Sequence, residues 1–149
     1  MAQGRAISTN LSAILASIEK DLDGVQKGFL KEVAEDLVQS SPVWSGRYVT
    51  SHSIGTRSSA GQFTGSFDSW TEKTSVPEAY RAEARANLLG NIAALPPLLD
   101  SVYLSNNAPH ANIVEHGSST VRAHKVYEGV LNRANIHLQN AINKVKGGQ

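Results

Sequence analysis

Cysteine is absent from the 149 residues, which excludes a disulfide scaffold, a thiolate zinc site, an iron–sulfur cluster and a cysteine nucleophile. No apolar run approaches the ~20 residues that a bilayer-spanning helix needs, so no membrane partner is expected. The first ten residues carry Arg5 but no apolar stretch, and a secretory signal is not expected either. Charge is sparse and balanced. The 14 basic residues exceed the 13 acidic ones by one, too little to attract nucleic acid by bulk electrostatics. Aromatic residues make up 6% and charged residues 18% of the chain, so its polar surface leans on hydroxyl side chains. HExxH, GxSxG, GxGxxG and the P-loop pattern are all missing.

What remains is an ordinary globular composition. The apolar fraction is 40%, and a chain near 150 residues reads as one domain, here 1–149, able to hide roughly 68–70% of its unfolded surface. Ile7 to Gln39 reads as a long amphipathic helix, because Leu11, Ile14, Leu15, Ile18, Leu22, Val25, Phe29, Val33 and Leu37 recur at steps of three and four. Gly24 and Gly28 weaken it and mark a bend or break, and Pro42 ends it. Between residues 40 and 75, 15 of 36 residues are Ser or Thr and four are Gly. Tyr48 to Ile54 and Phe63 to Trp70 read there as two strands of a hairpin, with an extended arm at about 55–75. Trp44, at the helix exit, is expected over the edge of the core.

Ser75-Val76-Pro77-Glu78 fits a capping box that opens a second helix, stopped by Pro96-Pro97. Leu98 to Asn106 reads as a strand with Val102 and Leu104 on one face and Tyr103 on the other. A short helix from Pro109 to about His116 follows, with Asn107 as its cap and Gly117 as its stop. Val126 to Val145 closes the chain as one striped helix. The class is α+β: long N-terminal and C-terminal helices packed on a small antiparallel sheet.

Chemistry is harder to find. Three of the five histidines, His110, His116 and His124, lie within 15 residues beside Glu115. A metal-dependent hydrolase using these four residues is the alternative function, and it requires them to converge on one pocket. The spacing argues against it, since His110 and His116 sit six apart and leave a short helix in different directions. No cofactor and no metal are expected, and catalysis is not. Arg122, Lys125, Arg133, Lys144 and Lys146 make the last stretch locally basic, which suits a solvated helix face. It would give the chain at most a non-specific proximity to DNA.

Two segments are more specific. The first is Ser41-Pro42-Val43-Trp44-Ser45-Gly46-Arg47-Tyr48, and the second runs from Val102 to Ser118 through Asn107-Ala108-Pro109-His110-Ala111 and Val114-Glu115-His116-Gly117. This pair resembles a family of tailed-bacteriophage neck and tail-completion proteins, often called minor tail proteins. Its members carry a long first helix, an S-P-V-x-[ST]-G-x-[LY] pattern, a strand, an N-x-P-Y-A-x-x-[VI]-E-x-G segment and a C-terminal helix. Order and spacing agree over nearly the whole chain. His110 stands where tyrosine is common, His116 where an aromatic is common, and Trp44 replaces a small acidic residue. Pro42, Val43, Ser45, Gly46, Arg47, Pro109, Ala111, Glu115 and Gly117 match the motifs and read as fold signatures. Glu115 is expected to hold a backbone amide or a basic group.

The resemblance implies a virion protein at the head–tail junction, assembled in the host cytoplasm. It implies a homo-oligomeric ring, sixfold or twelvefold, that joins a portal-side adaptor or head-closure protein to a tail terminator or tail tube protein. Phe63, Phe67 and Trp70 are the anchors by which the arm would touch a neighbouring subunit or the tail.

Overall fold

The computed structural model describes residues 2–58, 73–120 and 122–147, with side chains from residue 13 onward. Its elements are α1 (Ala2–Ser40), a single 3-10 turn (Val49–Ser51), β1 (His52–Gly55), α2 (Pro77–Ala93), β2 (Tyr103–Asn106), α3 (Ala111–His116), α4 (Val126–Asn132) and α5 (Ala134–Gly147). The α+β class with a small antiparallel sheet holds. The anchors Phe63, Phe67 and Trp70, and most of the expected hairpin arm, lie outside the described residues.

The lower half of α1 is the spine, apolar on two faces and therefore buried from both sides. Leu30, Ala34 and Val38 join Val49, Ile54 and the α2 residues Ala84, Leu88 and Ile92 in one core. Val33 and Leu37 face the other way, onto Tyr48, Ala108, Val114, Val126 and Val130. Phe29 and Leu104 touch both. The upper half of the stripe stays open, with Ile14, Leu15, Ile18 and Leu22 all 49–58% exposed.

Glycine does not break α1, which is helical throughout. Its bare surface at Gly24 and Gly28 is where α5 crosses: a Cβ there would lie 3.4 Å from Val145 Cγ2 and 3.4 Å from Ala141 Cβ. Propensity alone argued for a break, and tertiary packing overrides it. Lower down, Gln26 exchanges hydrogen bonds with both backbone groups of Leu99, and Lys27 donates to the carbonyls of Leu95 and Pro96.

Other boundaries also shift. Tyr48 to Ser51 turns instead of extending, because Thr50 Oγ1 donates to the Gly46 carbonyl and Ser51 Oγ to the Arg47 carbonyl. β1 pairs antiparallel with β2, His52 opposite Asn106 and Ile54 opposite Leu104. The backbone N–H of Ile54 donates to Asn91 Oδ1 of α2. Leu98, expected in a strand, takes a left-handed φ of 54°, which limits the strand to β2.

The capping box at residue 75 does not form: Val76 occupies the cap without a side-chain bond, and only Pro77 plays its expected part. Asn107 does not cap α3 either, since His110 holds that place. The last helix is two, hinged at Arg133. Its guanidinium turns back to Asp36 of α1 at 2.7 and 2.8 Å, lying over Gly129, where a Cβ would be 3.1 Å from it.

Gly46 is the tightest glycine. Its φ is +88°, and a Cβ would sit 2.3 Å from the Tyr80 ring of α2. Gly46→Ala therefore meets both a left-handed penalty of about 1–2 kcal/mol and a clash. A chemical-denaturation midpoint should drop by more than Gly46→Ala/Tyr80→Ala drops relative to Tyr80→Ala, because the double variant keeps only the backbone penalty.

Candidate functional site

The two motif segments meet. A cavity of about 250 Å³ is lined by Pro42, Trp44, Ser45, Gly46 and Tyr48 from the first, and by His110, Val114 and His124 from the second and its continuation. Pro42 leads the chain out of α1, Val43 packs against the α2 core, and Gly46 turns the chain toward the 3-10 turn. Trp44 is not over the core edge but 57% exposed, with Lys73 Nζ 5.3 Å from its ring and its carbonyl accepting the Thr74 amide. Val43 has taken the core position instead. Tyr48 is buried between the His52 and His110 rings, and its Oη finds no hydrogen-bond partner among the described residues. Burial, and then the Glu115 charge, raise its phenol above the usual range.

Behind the cavity lies a buried polar network that ties the segments to each other. Ser41 Oγ donates to the Leu37 carbonyl at 2.5 Å, which uses its one proton. His52 Nε2, 2.7 Å away, must then be the N–H that donates to Ser41 Oγ. Nδ1 is left as the acceptor, facing Tyr127 Oη at 2.8 Å and Asn106 Nδ2 at 3.1 Å. Asn106 donates its second proton to the Tyr48 carbonyl and accepts the Ala108 amide on Oδ1. Burial holds His52 down at about 3, so the ring is neutral at physiological pH.

A serine–histidine pair at hydrogen-bond distance invites comparison with a nucleophile and its base. The tautomer here is the wrong one: a base must accept the serine proton on Nε2, whereas this nitrogen gives one. Ser41 is also 2% exposed, closed to any substrate. The pair is a structural clamp.

Glu115 resolves in favour of backbone amides. Its two carboxylate oxygens accept the N–H groups of Tyr127 and Glu128 at 3.0 and 2.9 Å, capping the first turn of α4 from outside the helix. Its own carbonyl accepts the amide of Lys125, whose φ of 50° starts that helix. Gly117, at φ 79°, lets the chain leave α3. Pro109 is exposed and Ala111 is packed beneath the Val114 core, while Arg47 points its side chain outward and Ser45 Oγ accepts the Arg47 amide. These motif residues build the turns around the cavity.

The four residues of the hydrolase alternative do not share one pocket. His110 and His124 line the cavity, Glu115 is occupied at α4, and His116 is exposed on the end of α3. Among the described residues, no three His, Cys, Asp or Glu side chains gather to hold a metal ion. Two basic residues of the C-terminal stretch are paired with acids of α1: Arg133 with Asp36, and Lys144 with Glu32.

Comparison with protein-family models, curated proteins and solved structures gave no match.

Sequence reasoning missed His52, Asn106 and Tyr127. His52 sat inside an apparent strand with nothing to separate it from a surface residue. Asn106 directly precedes the motif asparagine Asn107, and Tyr127 stands beside the apolar stripe of the last helix, so neither carries a pattern of its own.

The network has a pH signature. The unfolded chain takes up a proton on His52 below about pH 6.5, while the folded chain resists until about 3. Stability is therefore complete above 6.5 and falls with pH through that window. Thermal melts between pH 7.5 and 4 should show a declining Tm, and His52→Gln, less stable at neutral pH, should show a flatter profile. At pH 7, Tyr127→Phe should cost about 1 kcal/mol by removing one donor while leaving Asn106 in place. Glu115→Ala should lose about 1–2 kcal/mol through the unfilled α4 amides, read by the same denaturation series.

Proposed function

We propose that this chain is a structural subunit of the neck of a tailed bacteriophage, forming a ring that joins the portal-side adaptor or head-closure protein to the tail terminator or tail tube. The resemblance of residues 41–48 and 102–118 to that family is the ground for it. The observation that carries it furthest is that these segments, distant in sequence, build one wall around a common cavity and share one buried network. Their residues serve turns, caps and packing, as expected of a scaffold whose work is done by outer surfaces. A ring needs two different faces on each copy, since its interface runs head to tail. The exposed stripe of α1 and the Trp44–Lys73 corner offer separate regions of surface for such contacts.

Peptide mass spectrometry on purified tailed particles tests this, with copy number measured against the portal protein. A stoichiometric presence in a small multiple set by ring symmetry is the expected result. Absence from clean, intact particles would overturn the reading.

A further inference from the structure

The two-stranded sheet has one closed edge and one open edge. β1 and β2 pair with His52 opposite Asn106 and Ile54 opposite Leu104. In an antiparallel ladder bonded and non-bonded pairs alternate, so every second residue turns its N–H and C=O away from the partner strand. Two bonds fix the phase. The Asn107 N–H donates to the Ser51 carbonyl, which makes 51 and 107 a bonded pair, and Ile54 sends its N–H outward to Asn91 Oδ1 of α2. Asn91 thereby closes the β1 edge. On β2 the outward residues are Leu104 and Asn106, and among the described residues no hydrogen bond engages the N–H or C=O of Leu104.

A cleft of about 230 Å³ lies along that open edge. Three consecutive residues of β2, Leu104, Ser105 and Asn106, form one side of it, and no residue of β1 lines it. Side chains from both faces of the strand thus border the cleft, which places it beside the edge and not over either face. Asn112 and Glu115 of α3 form the opposite side, with Tyr127 of α4.

The walls state what fits between them. Outward N–H and C=O groups on one strand are matched by those of a second strand about 4.8 Å away. Because α3 stands across the cleft, a folded sheet, which brings its own flanking elements, is kept out, and a single extended segment is admitted. Glu115 is the only acidic or basic side chain among the described lining residues. Each of its carboxylate oxygens accepts one α4 amide and keeps a further lone pair, so a lysine or arginine on the segment gains a partner and an acidic residue is repelled. Asn112 is exposed and brings a side-chain amide to the far side of the segment.

We infer that the β2 edge takes a strand from a partner protein: an extended segment, carrying a basic residue, whose backbone pairs with the outward groups of Leu104. The inference goes beyond the neck reading and does not depend on it.

The test uses the full chain. Amide exchange followed by NMR should show the Leu104 N–H exchanging at least about tenfold faster than that of Ser105, which faces β1. Equal protection of the two would overturn the open edge. A library of random linear peptides is then selected against the immobilised chain. Selected peptides should carry lysine or arginine and should slow Leu104 exchange when bound. Methylating their backbone nitrogens one at a time should weaken binding about tenfold at every second position and little between, the mark of strand pairing. Asn112→Trp, which fills the cleft from an exposed helix position, should abolish binding with an unchanged Tm. No selected peptide, acidic peptides, a methylation profile without the period of two, or binding untouched by Asn112→Trp would each overturn the proposal. So would a concentration-dependent dimer that competes with the peptide, which would assign the edge to a second copy. Absence from phage particles would instead sink the neck reading and leave peptide binding intact.

Discussion

The fold turns on a neutral, buried imidazole. His52 contacts Ser41 at the end of α1, Asn106 of β2 and Tyr127 of α4, and Tyr48 stacks edge-on against its ring. A buried polar group without partners costs free energy, whereas a fully satisfied network in a low-dielectric interior is directional and specific. Val126 and Val130, both buried, seat one face of α4 on the core, and the phenol of Tyr127 on His52, with the Glu115 carboxylate on the first α4 amides, fixes the start of the helix.

The same logic organises α1 and the C-terminal pair of helices. Asp36 is partly buried, which raises its carboxyl, but the hydrogen bonds from Arg133, His137 and Ser40 outweigh that and hold it well below the ordinary carboxylate range. Those bonds place Arg133 at the corner between α4 and α5, so the helix that continues in sequence breaks in space. Gly24 and Gly28 lie where Val145 and Ala141 of α5 pack, and a methyl group at either would meet them at ordinary contact distance, 3.4 Å. A residue type that weakens an isolated helix is here held helical by the helix packed on it.

For function, the arrangement separates interior from exterior. Most motif residues are engaged in turns, caps and the clamp, with Arg47 and Pro109 exposed, and Ser41 is closed to solvent. Apolar side chains stay open along the stripe from Ile14 to Leu22, at Trp44 beside Lys73, and at Leu131 and Ile136 of the C-terminal helices.

The sequence by itself determined the elements whose signal is local: the long first helix from its three-and-four spacing, Pro77 at the start of α2 and Gly117 after α3; it also indicated a small antiparallel sheet, but the pairing of His52–Gly55 with Tyr103–Asn106 is non-local and came from the tertiary structure. It also showed the two motif segments as units. Their meeting was beyond it, because residues 41–48 and 102–118 are joined only by contacts across the core. The turn from Tyr48 to Ser51 rests on local hydroxyl bonds to the Gly46 and Arg47 carbonyls. The tertiary structure decided instead that Leu98 leaves the strand region and that Arg133 splits the last helix, and the partners there lie far away in the chain, Asp23 for Leu98 and Asp36 for Arg133. The chemistry of the site was hidden for the same reason. A histidine is a base, a ligand or a clamp according to the three or four atoms around it, and those atoms come from residues 41, 106 and 127.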